Sequence, residues 1–360
     1  MYNAVLMLVR SRSQATGLFS DTIPEDLALL AESEAILVVK CHAPDASLRG
    51  LARMMNAPIV LTVRDPRDCL VSFECAFQSE RSAAFHELNQ SAFALLEIAD
   101  HPRQLVVKYE ESADRAKVIE SLASLLGIRA SGKLVRGISE ALDPEVVKTK
   151  IAQWEVHGAL DSDRPAEVWT EETHWHSNHV ADGLTGKYVD QLSAHEAAIV
   201  GSRLRGFFET FGYARDPVPS VQSGERIEFN GAGMAYALDG FSFPEDWGAW
   251  TDRPTARIVL PLTKKTGRIQ LEIALMRGSF DFAHRGAGAQ LRVNNYKVAE
   301  LFKAPDAPGD LLFVYSGDLD SDRLDLEFRF KGLASPKSLG LGGDDRLIGV
   351  GIKHLKITYR

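Results

Sequence analysis

The most informative stretch of this sequence is Ile59-Val60-Leu61-Thr62-Val63-Arg64-Asp65-Pro66-Arg67-Asp68-Cys69-Leu70-Val71-Ser72-Phe73, in which an apolar run meets a helix start. Pro66 has the φ of a first helical residue, and Asp65 can accept hydrogen bonds from the free amides that follow, so the pattern predicts a strand and then a helix. Arg64 is thereby placed at the carboxyl end of the strand, where open α/β sheets bind ligands. Ser72 lies about two helical turns further on, within reach of the same anion. The alternative is a plain junction whose arginine only pairs with a neighbouring aspartate.

The length and composition describe a globular protein of two domains. At 360 residues the chain exceeds one ordinary core, and 45% of it is hydrophobic and 25% charged. The formal net charge of −8 argues against a nucleic-acid partner. Cys41, Cys69 and Cys75 form an odd, sparse set, which predicts no disulfide framework and a reducing compartment. No apolar run reaches the length of a membrane span, so a cytoplasmic protein without a membrane segment is expected.

Basic and hydroxyl side chains follow two further predicted strands. Residues 4–9 predict a first buried strand, and residues 35–39 predict a second one that ends in Lys40-Cys41-His42. Between them, residues 21–25 contain a helix start, which predicts a helix over about 23–32. The carboxyl ends of parallel strands meet at one edge of a sheet. One crevice is therefore expected to gather Arg12, Ser13, Lys40, His42 and Arg64.

These segments resemble the sulfotransferases that use 3′-phosphoadenosine 5′-phosphosulfate (PAPS). Arg64-Asp65-Pro66-Arg67-Asp68 followed by Ser72 is similar to the family segment that binds the 3′-phosphate. Lys40-Cys41-His42 is similar to the family's Lys-Thr-His, and Ser11-Arg12-Ser13-Gln14-Ala15-Thr16 is loosely similar to its phosphosulfate loop, Pro-Lys/Arg-Ser-Gly-Thr-Thr. The resemblance implies PAPS as the donor substrate, 3′-phosphoadenosine 5′-phosphate (PAP) as its product, and no metal.

Two later segments extend the resemblance over residues 4–213. The segment Lys108-Tyr109-Glu110-Glu111 resembles the family's Tyr-Glu-Asp strand, whose tyrosine lies near the adenine. The segment Asp182-Gly183-Leu184-Thr185-Gly186-Lys187-Tyr188 resembles its late glycine loop. Departures from the family pattern are Gln14, Ala15, Cys41 and Ala181. The resemblance implies His42 as general base and Lys40 as a second catalytic residue, and the implied donor-binding residues are Arg12, Ser13, Gln14, Ala15, Thr16, Arg64, Ser72, Tyr109, Gly183 and Gly186.

The segment His174-Trp175-His176-Ser177-Asn178-His179 has histidines at a spacing that metal sites use. No cysteine and no acidic pair stands beside it at ligand spacing. We interpret it as a polar loop near the acceptor site rather than as a metal site.

A second domain is predicted beyond residue 213. Residues 214–224 contain two prolines and small polar residues, which predicts a linker. Trp247 and Trp250 either stack on sugar rings or seal one end of this domain. The strands predicted in residues 225–360 are 226–229, 256–262, 269–276, 289–293, 311–315, 324–330 and 351–359, a pattern that favours an all-β sandwich of jelly-roll type.

The sequence thus predicts an α/β fold: a parallel-sheet, P-loop-like sulfotransferase domain over residues 1–213, followed by an all-β sandwich over residues 225–360. The predicted function is sulfuryl transfer from PAPS to a hydroxyl of a carbohydrate or glycan-linked acceptor. Two alternatives stay open. One is a catalytically degenerate protein that binds PAP, PAPS or glycan. The other is a nucleotide-dependent phosphotransferase, against which the absent Walker lysine counts.

Overall fold

The structure, a computed structural model, describes residues 1–24, 35–161, 168–180, 182–242 and 244–359. Residues 1–191 and 206–213 form a first unit, and residues 192–205 and 214–360 form a second. The helices are α1 (Tyr2–Arg10), α2 (Ala46–Met54), α3 (Pro66–Phe77), α4 (Arg81–Ile98), α5 (Arg115–Leu125), α6 (Gly132–Ala141), α7 (Pro144–Val156), α8 (Tyr188–Gln191), α9 (Ala194–Arg203) and α10 (Arg205–Phe211). The strands are β1 (Ala15–Phe19), β2 (Ile36–Lys40), β3 (Ile59–Val63), β4 (Gln104–Lys108), β5 (Arg226–Glu228), β6 (Ala237–Asp239), β7 (Ala249–Trp250), β8 (Thr255–Arg277), β9 (Gly288–Val293), β10 (Tyr296–Leu301), β11 (Asp310–Lys331) and β12 (Val350–Tyr359).

The first unit is an α/β structure whose strands pair in parallel. Strand β1 pairs with β2, and β3 pairs with β4. The predicted strands at 35–39 and 59–63 are confirmed as β2 and β3. The single parallel sheet that the sequence predicts is present only as these two pairs within the described ranges.

The strand predicted at residues 4–9 is wrong, because these residues lie in helix α1. A six-residue apolar run without alternation fits a buried helix as well as a buried strand, and here Leu6, Leu8 and Val9 are buried on the helix. The first strand is instead β1, which begins at Ala15. The basic turn at residues 12–14 therefore precedes the first strand and does not follow it. The helix predicted over 23–32 falls largely outside the described residues, as does the departure at Ala181.

Helix α3 begins where the sequence places it. Pro66 is its first residue, and the Asp65 side chain accepts a hydrogen bond from the Arg67 amide at 2.9 Å. This cap holds the turn after β3 in one conformation, so Arg64 and Ser72 have a fixed separation. Residues 194–211 form two consecutive helices, α9 and α10.

The second unit is a curled antiparallel sheet of eight strands, as the sequence predicts for a sandwich. Its main order is β10-β9-β11-β8-β12-β5, with β6 paired to β8 and β7 paired to β12. The long strands β8 and β11 pair along almost their whole length, so each takes in two of the predicted short strands. Fully buried side chains in this core include Phe229, Phe241, Leu271, Ile273 and Phe328. Helix α9 joins this unit, and its Ser202 Oγ donates to the Ala237 carbonyl at 3.1 Å.

The predicted linker has two halves that differ in structure. Residues 214–220 are exposed or half-exposed, whereas Val221 is buried and donates its amide to the Pro261 carbonyl at 2.7 Å. Gly224 likewise donates to the Ile357 carbonyl at 2.8 Å. Proteases cut exposed backbone, so limited proteolysis followed by mass spectrometry should locate the first cuts in residues 214–220. First cuts within residues 221–226 would contradict this division of the linker.

Candidate functional site

The first unit contains a cavity of about 1310 Å³. It opens at the carboxyl ends of β2 and β3, where the sequence predicts the site. Six of the predicted site residues line it: Lys40, His42, Arg64, Ser72, Tyr109 and Gly183. The structure therefore brings both proposed catalytic residues and the proposed 3′-phosphate residues to one place.

Arg64 is the best-positioned anion-binding group of this cavity. Its Nη1 donates to Ser72 Oγ at 3.1 Å, and its guanidinium lies 4.5 Å above the centre of the Tyr109 ring. Its Nη2 donates to the Leu184 carbonyl at 2.7 Å, whereas its Nε is buried without a hydrogen-bond partner. Its Nη2 also lies 3.8 Å from the Asp68 carboxylate, so one anionic group already faces this arginine, and the unpartnered Nε is the donor left for a ligand.

A buried carboxylate fixes the glycine loop beside Arg64. Asp68 accepts from the Gly186 amide at 2.6 Å and from the Tyr188 amide at 3.1 Å, and its side chain is 1% exposed. Gly183 and Gly186 have φ of +74° and +78°, the left-handed region that favours glycine. The Gly186 amide is thus occupied by Asp68, and Gly186 does not line the cavity. Gly183 does line it, and a Cβ there would lie 3.6 Å from the Tyr109 hydroxyl.

Lys40 and His42 lie at the end of β2 and just beyond it. Asp21 shapes this turn, since its Oδ1 accepts from the His42 and Ala43 amides at 2.7 and 2.9 Å. Phe19 contacts both candidate residues, with its ring centre 5.0 Å from the His42 ring and 5.8 Å from Lys40 Nζ. Burial and the neighbouring Lys40 lower the pKa of His42, so its imidazole is neutral near pH 7 and able to accept a proton.

The loosely matching phosphosulfate loop lies elsewhere. In the parallel register Ala15 is opposite Ile36, whereas Phe19 is opposite Lys40, so residues 12–16 are at the amino end of the strand pair. At 3.3 Å per residue that places them roughly 13 Å from the Lys40 end. Arg12 points its Nη2 to the Arg129 carbonyl at 2.7 Å. None of Arg12, Ser13, Gln14, Ala15 and Thr16 lines the cavity.

The cavity has an aromatic wall that the sequence motifs do not predict. Histidines 174, 176 and 179 all line it, which agrees with a polar loop at an acceptor site. The lining side chains that no motif singled out are Phe19, Phe73, Phe77, Trp169 and Trp175. The signal for Phe73 and Phe77 was their i, i+4 spacing on α3, which places them on one helix face.

The pKa values of two of these histidines are strongly lowered. Burial, followed by the positive charge of Lys40, lowers the pKa of His176 to about 4. Burial, followed by His176, lowers the pKa of His179 to about 3. Both imidazoles are therefore neutral over the whole physiological range.

The neutral state of His179 predicts acid sensitivity of the first unit. In the unfolded chain its pKa is near 6.5, so below that pH the unfolded state binds a proton that the folded state rejects, and stability falls as pH falls. His179 is an exposed side chain, so solvent screens the shift, and between pH 6.5 and 5 this residue should contribute a loss of at most about 1 kcal/mol. His179→Phe should remove that part of the pH dependence of the free energy of unfolding. The measurement is urea denaturation at each pH, followed by amide exchange in helix α7. An unchanged pH dependence in the variant would contradict the shift.

The thiols near the site are poor nucleophiles. Burial raises the pKa of Cys41 to about 11 and that of Cys69 to about 12. Among the residues that the structure describes, no group of three or more His, Cys, Asp or Glu side chains is arranged to hold a metal ion. The same described residues include no helix long and apolar enough to cross a membrane.

The tryptophan pair of the second unit is partly buried. Trp247 and Trp250 have ring centres 4.9 Å apart, and Trp247 Nε1 donates to Glu245 at 2.9 Å. A Cβ on Gly351 would lie 2.6 Å from the Trp247 ring, so this ring packs directly on the backbone of β12. The Trp247 ring therefore packs on the sheet of the second unit, while both tryptophans stay partly exposed.

No family model matches the chain, and no curated protein matches it. Among solved structures, the chain is similar to mouse sulfotransferase SULT7A1 complexed with PAP, at TM-score 0.35 and 14% identity over 58% of this chain and 87% of that chain. It is also similar to retinol dehydratase with androsterone and inactive cofactor PAP, at TM-score 0.36 and 19% identity over 51% of this chain and 56% of that chain. A family 35 carbohydrate binding module from Paenibacillus barcinonensis has TM-score 0.24 and 13% identity over 38% of this chain and 100% of that chain. All three TM-scores lie below 0.5, so the case for a function depends on the chain's own residues.

Proposed function

We propose that this protein binds a 3′-phosphorylated adenine nucleotide in the cavity of its first unit and transfers a sulfuryl group from PAPS to a hydroxyl acceptor. The observation that carries the proposal is the joint position of Arg64 and Ser72, hydrogen-bonded to each other, in the same cavity as Lys40 and His42. A motif match on its own carries a high false-positive risk, and this convergence of two separate chain segments reduces it.

The residues at the Arg64 end fit a 3′-phosphate. A guanidinium with a buried, unpartnered Nε and a hydroxyl 3.1 Å from its Nη1 offers two kinds of donor to one anion. Tyr109, whose ring packs under that guanidinium, supplies a flat surface beside it for the adenine. We assign Lys40, which lines the same cavity, to the phosphosulfate at the other end of the donor.

The chemistry assigned to the two catalytic residues follows from their protonation. PAPS supplies the sulfuryl group: its sulfur–oxygen bond to the 5′-phosphate breaks, and a bond to the acceptor oxygen forms. His42, neutral near pH 7, takes the proton of the acceptor hydroxyl. Lys40 stabilises the negative charge that develops on the departing phosphate oxygen.

We further propose a carbohydrate hydroxyl as the acceptor, in a protein that acts in the cytoplasm. The aromatic wall of the cavity supports this proposal, since aromatic faces and a few polar groups together line sites for small organic ligands. The nucleotide-dependent phosphotransferase alternative has no feature of the described cavity in its favour.

One observation favours a second candidate, a nucleotide-binding protein without catalysis. The residues that the resemblance assigns to the phosphosulfate lie at the opposite end of the β1–β2 pair from Lys40. A sulfuryl group held by Lys40 alone would be less well positioned, and misplacement by about 1 Å costs roughly 10²-fold in rate.

The test is the formation of PAP from PAPS in the presence of a panel of saccharides and simple alcohols, alongside calorimetric titration with PAP. Binding of PAP together with acceptor-dependent turnover supports the transferase. Binding of PAP with no turnover from any acceptor supports the binding protein, and absence of PAP binding rejects both.

A further inference from the structure

The cavity has two ends of different character, and the second end is built by the segment 174–179. Its His176 ring centre lies 5.4 Å from the Phe77 ring and 5.0 Å from the His179 ring. Phe77 in turn lies 4.8 Å from Phe73 on the same helix. This group of rings, which we call the acceptor wall, consists of Phe73, Phe77, His176 and His179, all of which line the cavity.

The acceptor wall is held in place by contacts outside the ring system. Asn178 Nδ2 donates to the Ala76 carbonyl at 2.9 Å, which ties the segment to helix α3, the helix that carries Ser72. His174 has φ of +53°, a left-handed conformation uncommon for a residue other than glycine, and its amide donates to the Thr170 carbonyl at 2.8 Å. Backbone strain of this kind persists where the surroundings enforce it, and it concentrates at ligand sites.

The imidazole of His176 has one nitrogen with no role in the fold. Its Nδ1 is buried without a partner, whereas its Nε2 is not among the buried unpartnered atoms of the described residues. A neutral imidazole carries its proton on one nitrogen only, and a buried N–H without an acceptor is costly. We therefore assign the proton to Nε2, which makes His176 a neutral hydrogen-bond donor at the cavity wall.

Charged side chains of both signs line the cavity. Glu87 acts electrostatically on His42, and Lys40 acts on both wall histidines, which are neutral near pH 7. Arg115, Lys148 and Lys187 line the cavity as well. The acceptor wall itself carries no charge, so its polar feature is the hydrogen-bond donor of His176.

We propose that His176 is a specificity-determining residue of the acceptor site, and that it hydrogen-bonds a hydroxyl of a saccharide whose ring packs against Phe77. This inference rests on the proposed function, because the saccharide occupies the end of the cavity beyond the nucleotide.

The test uses the full chain saturated with PAP and measures equilibrium binding of methyl glucoside, methyl galactoside and methyl glucuronide. We compare wild type, His176→Phe and His176→Gln. His176→Phe keeps a ring but loses the donor, and should weaken binding of the saccharide about 3- to 10-fold, the range of one neutral hydrogen bond. His176→Gln keeps an N–H donor and should recover part of the affinity.

Separate outcomes distinguish this inference from the proposed function. Loss of PAP binding in the wild type would reject the proposed function itself. With PAP bound, the inference is overturned if none of these saccharides binds, or if His176→Phe binds them as tightly as wild type. Where an acceptor turns over, His176→Phe should raise its KM and leave kcat within about 3-fold, since His176 contacts the acceptor and not the reacting proton.

Discussion

His42→Ala should reduce sulfuryl transfer by about 10²–10⁴-fold while the affinity for PAP stays nearly unchanged. The imidazole lies just beyond β2 and lines the cavity, and its lowered pKa keeps it neutral and able to accept a proton. Its removal takes away the proton acceptor but no group assigned to the nucleotide. The measurement is PAP formation from PAPS with the best acceptor, combined with calorimetry for PAP.

A matched control is His86→Ala, which removes an exposed imidazole on α4 that does not line the cavity. This variant should keep wild-type turnover. Lys40→Ala should lower both turnover and PAP affinity, since Lys40 is assigned to the donor. Turnover in His42→Ala within 10-fold of wild type would show that another group, or water, accepts the proton.

Arg64→Ala should abolish most of the preference for PAP over 5′-AMP, a nucleotide that lacks the 3′-phosphate. Hydrogen bonds to a charged group contribute about 1.5–3 kcal/mol, so PAP affinity should fall about 10- to 150-fold while AMP affinity changes little. Loss of the guanidinium also removes a donor to Ser72 and the cation above Tyr109. The measurement is a calorimetric titration of each protein with each nucleotide.

Arg12→Ala tests whether Arg12 binds the nucleotide as well as Arg64, since the sequence assigned both arginines to it. Arg12 is exposed and bonded to the Arg129 carbonyl, so the structure predicts no change in PAP affinity for this variant. If Arg12→Ala weakens PAP as much as Arg64→Ala, the position of the turn before β1 would need revision. Equal affinity of the wild-type protein for PAP and AMP would contradict the 3′-phosphate assignment altogether.

Much of the Arg64 end was predictable because local rules determine it. The apolar run of β3, Pro66 at the first helical position and Asp65 as its cap all favour the same strand-to-helix turn. Once that turn is fixed, the separation of Arg64 and Ser72 along α3 follows. The Lys40 and His42 placement was predictable for a similar reason, since β2 has a clear apolar run and a clear end.

The first forty residues show where local rules fail. The run at 4–9 lacks alternation, so its periodicity does not distinguish strand from helix, and tertiary burial selects the helix. The true first strand, β1, contains Thr16 and Gly17, which alone favour a turn. The acceptor wall was equally out of reach, because the contact from Asn178 to Ala76 joins residues 102 positions apart. No spacing rule within one segment reports such a contact.

The hydrogen bond from Arg64 to the Leu184 carbonyl has a consequence for how tightly an anion can bind. This guanidinium already has a partner before any ligand arrives, so a nucleotide does not simply occupy a vacant position. It has to displace a carbonyl from the loop that Asp68 anchors, and departure restores that bond. The free energy gained on binding is therefore the difference between the two interactions, because the guanidinium has a partner in both states.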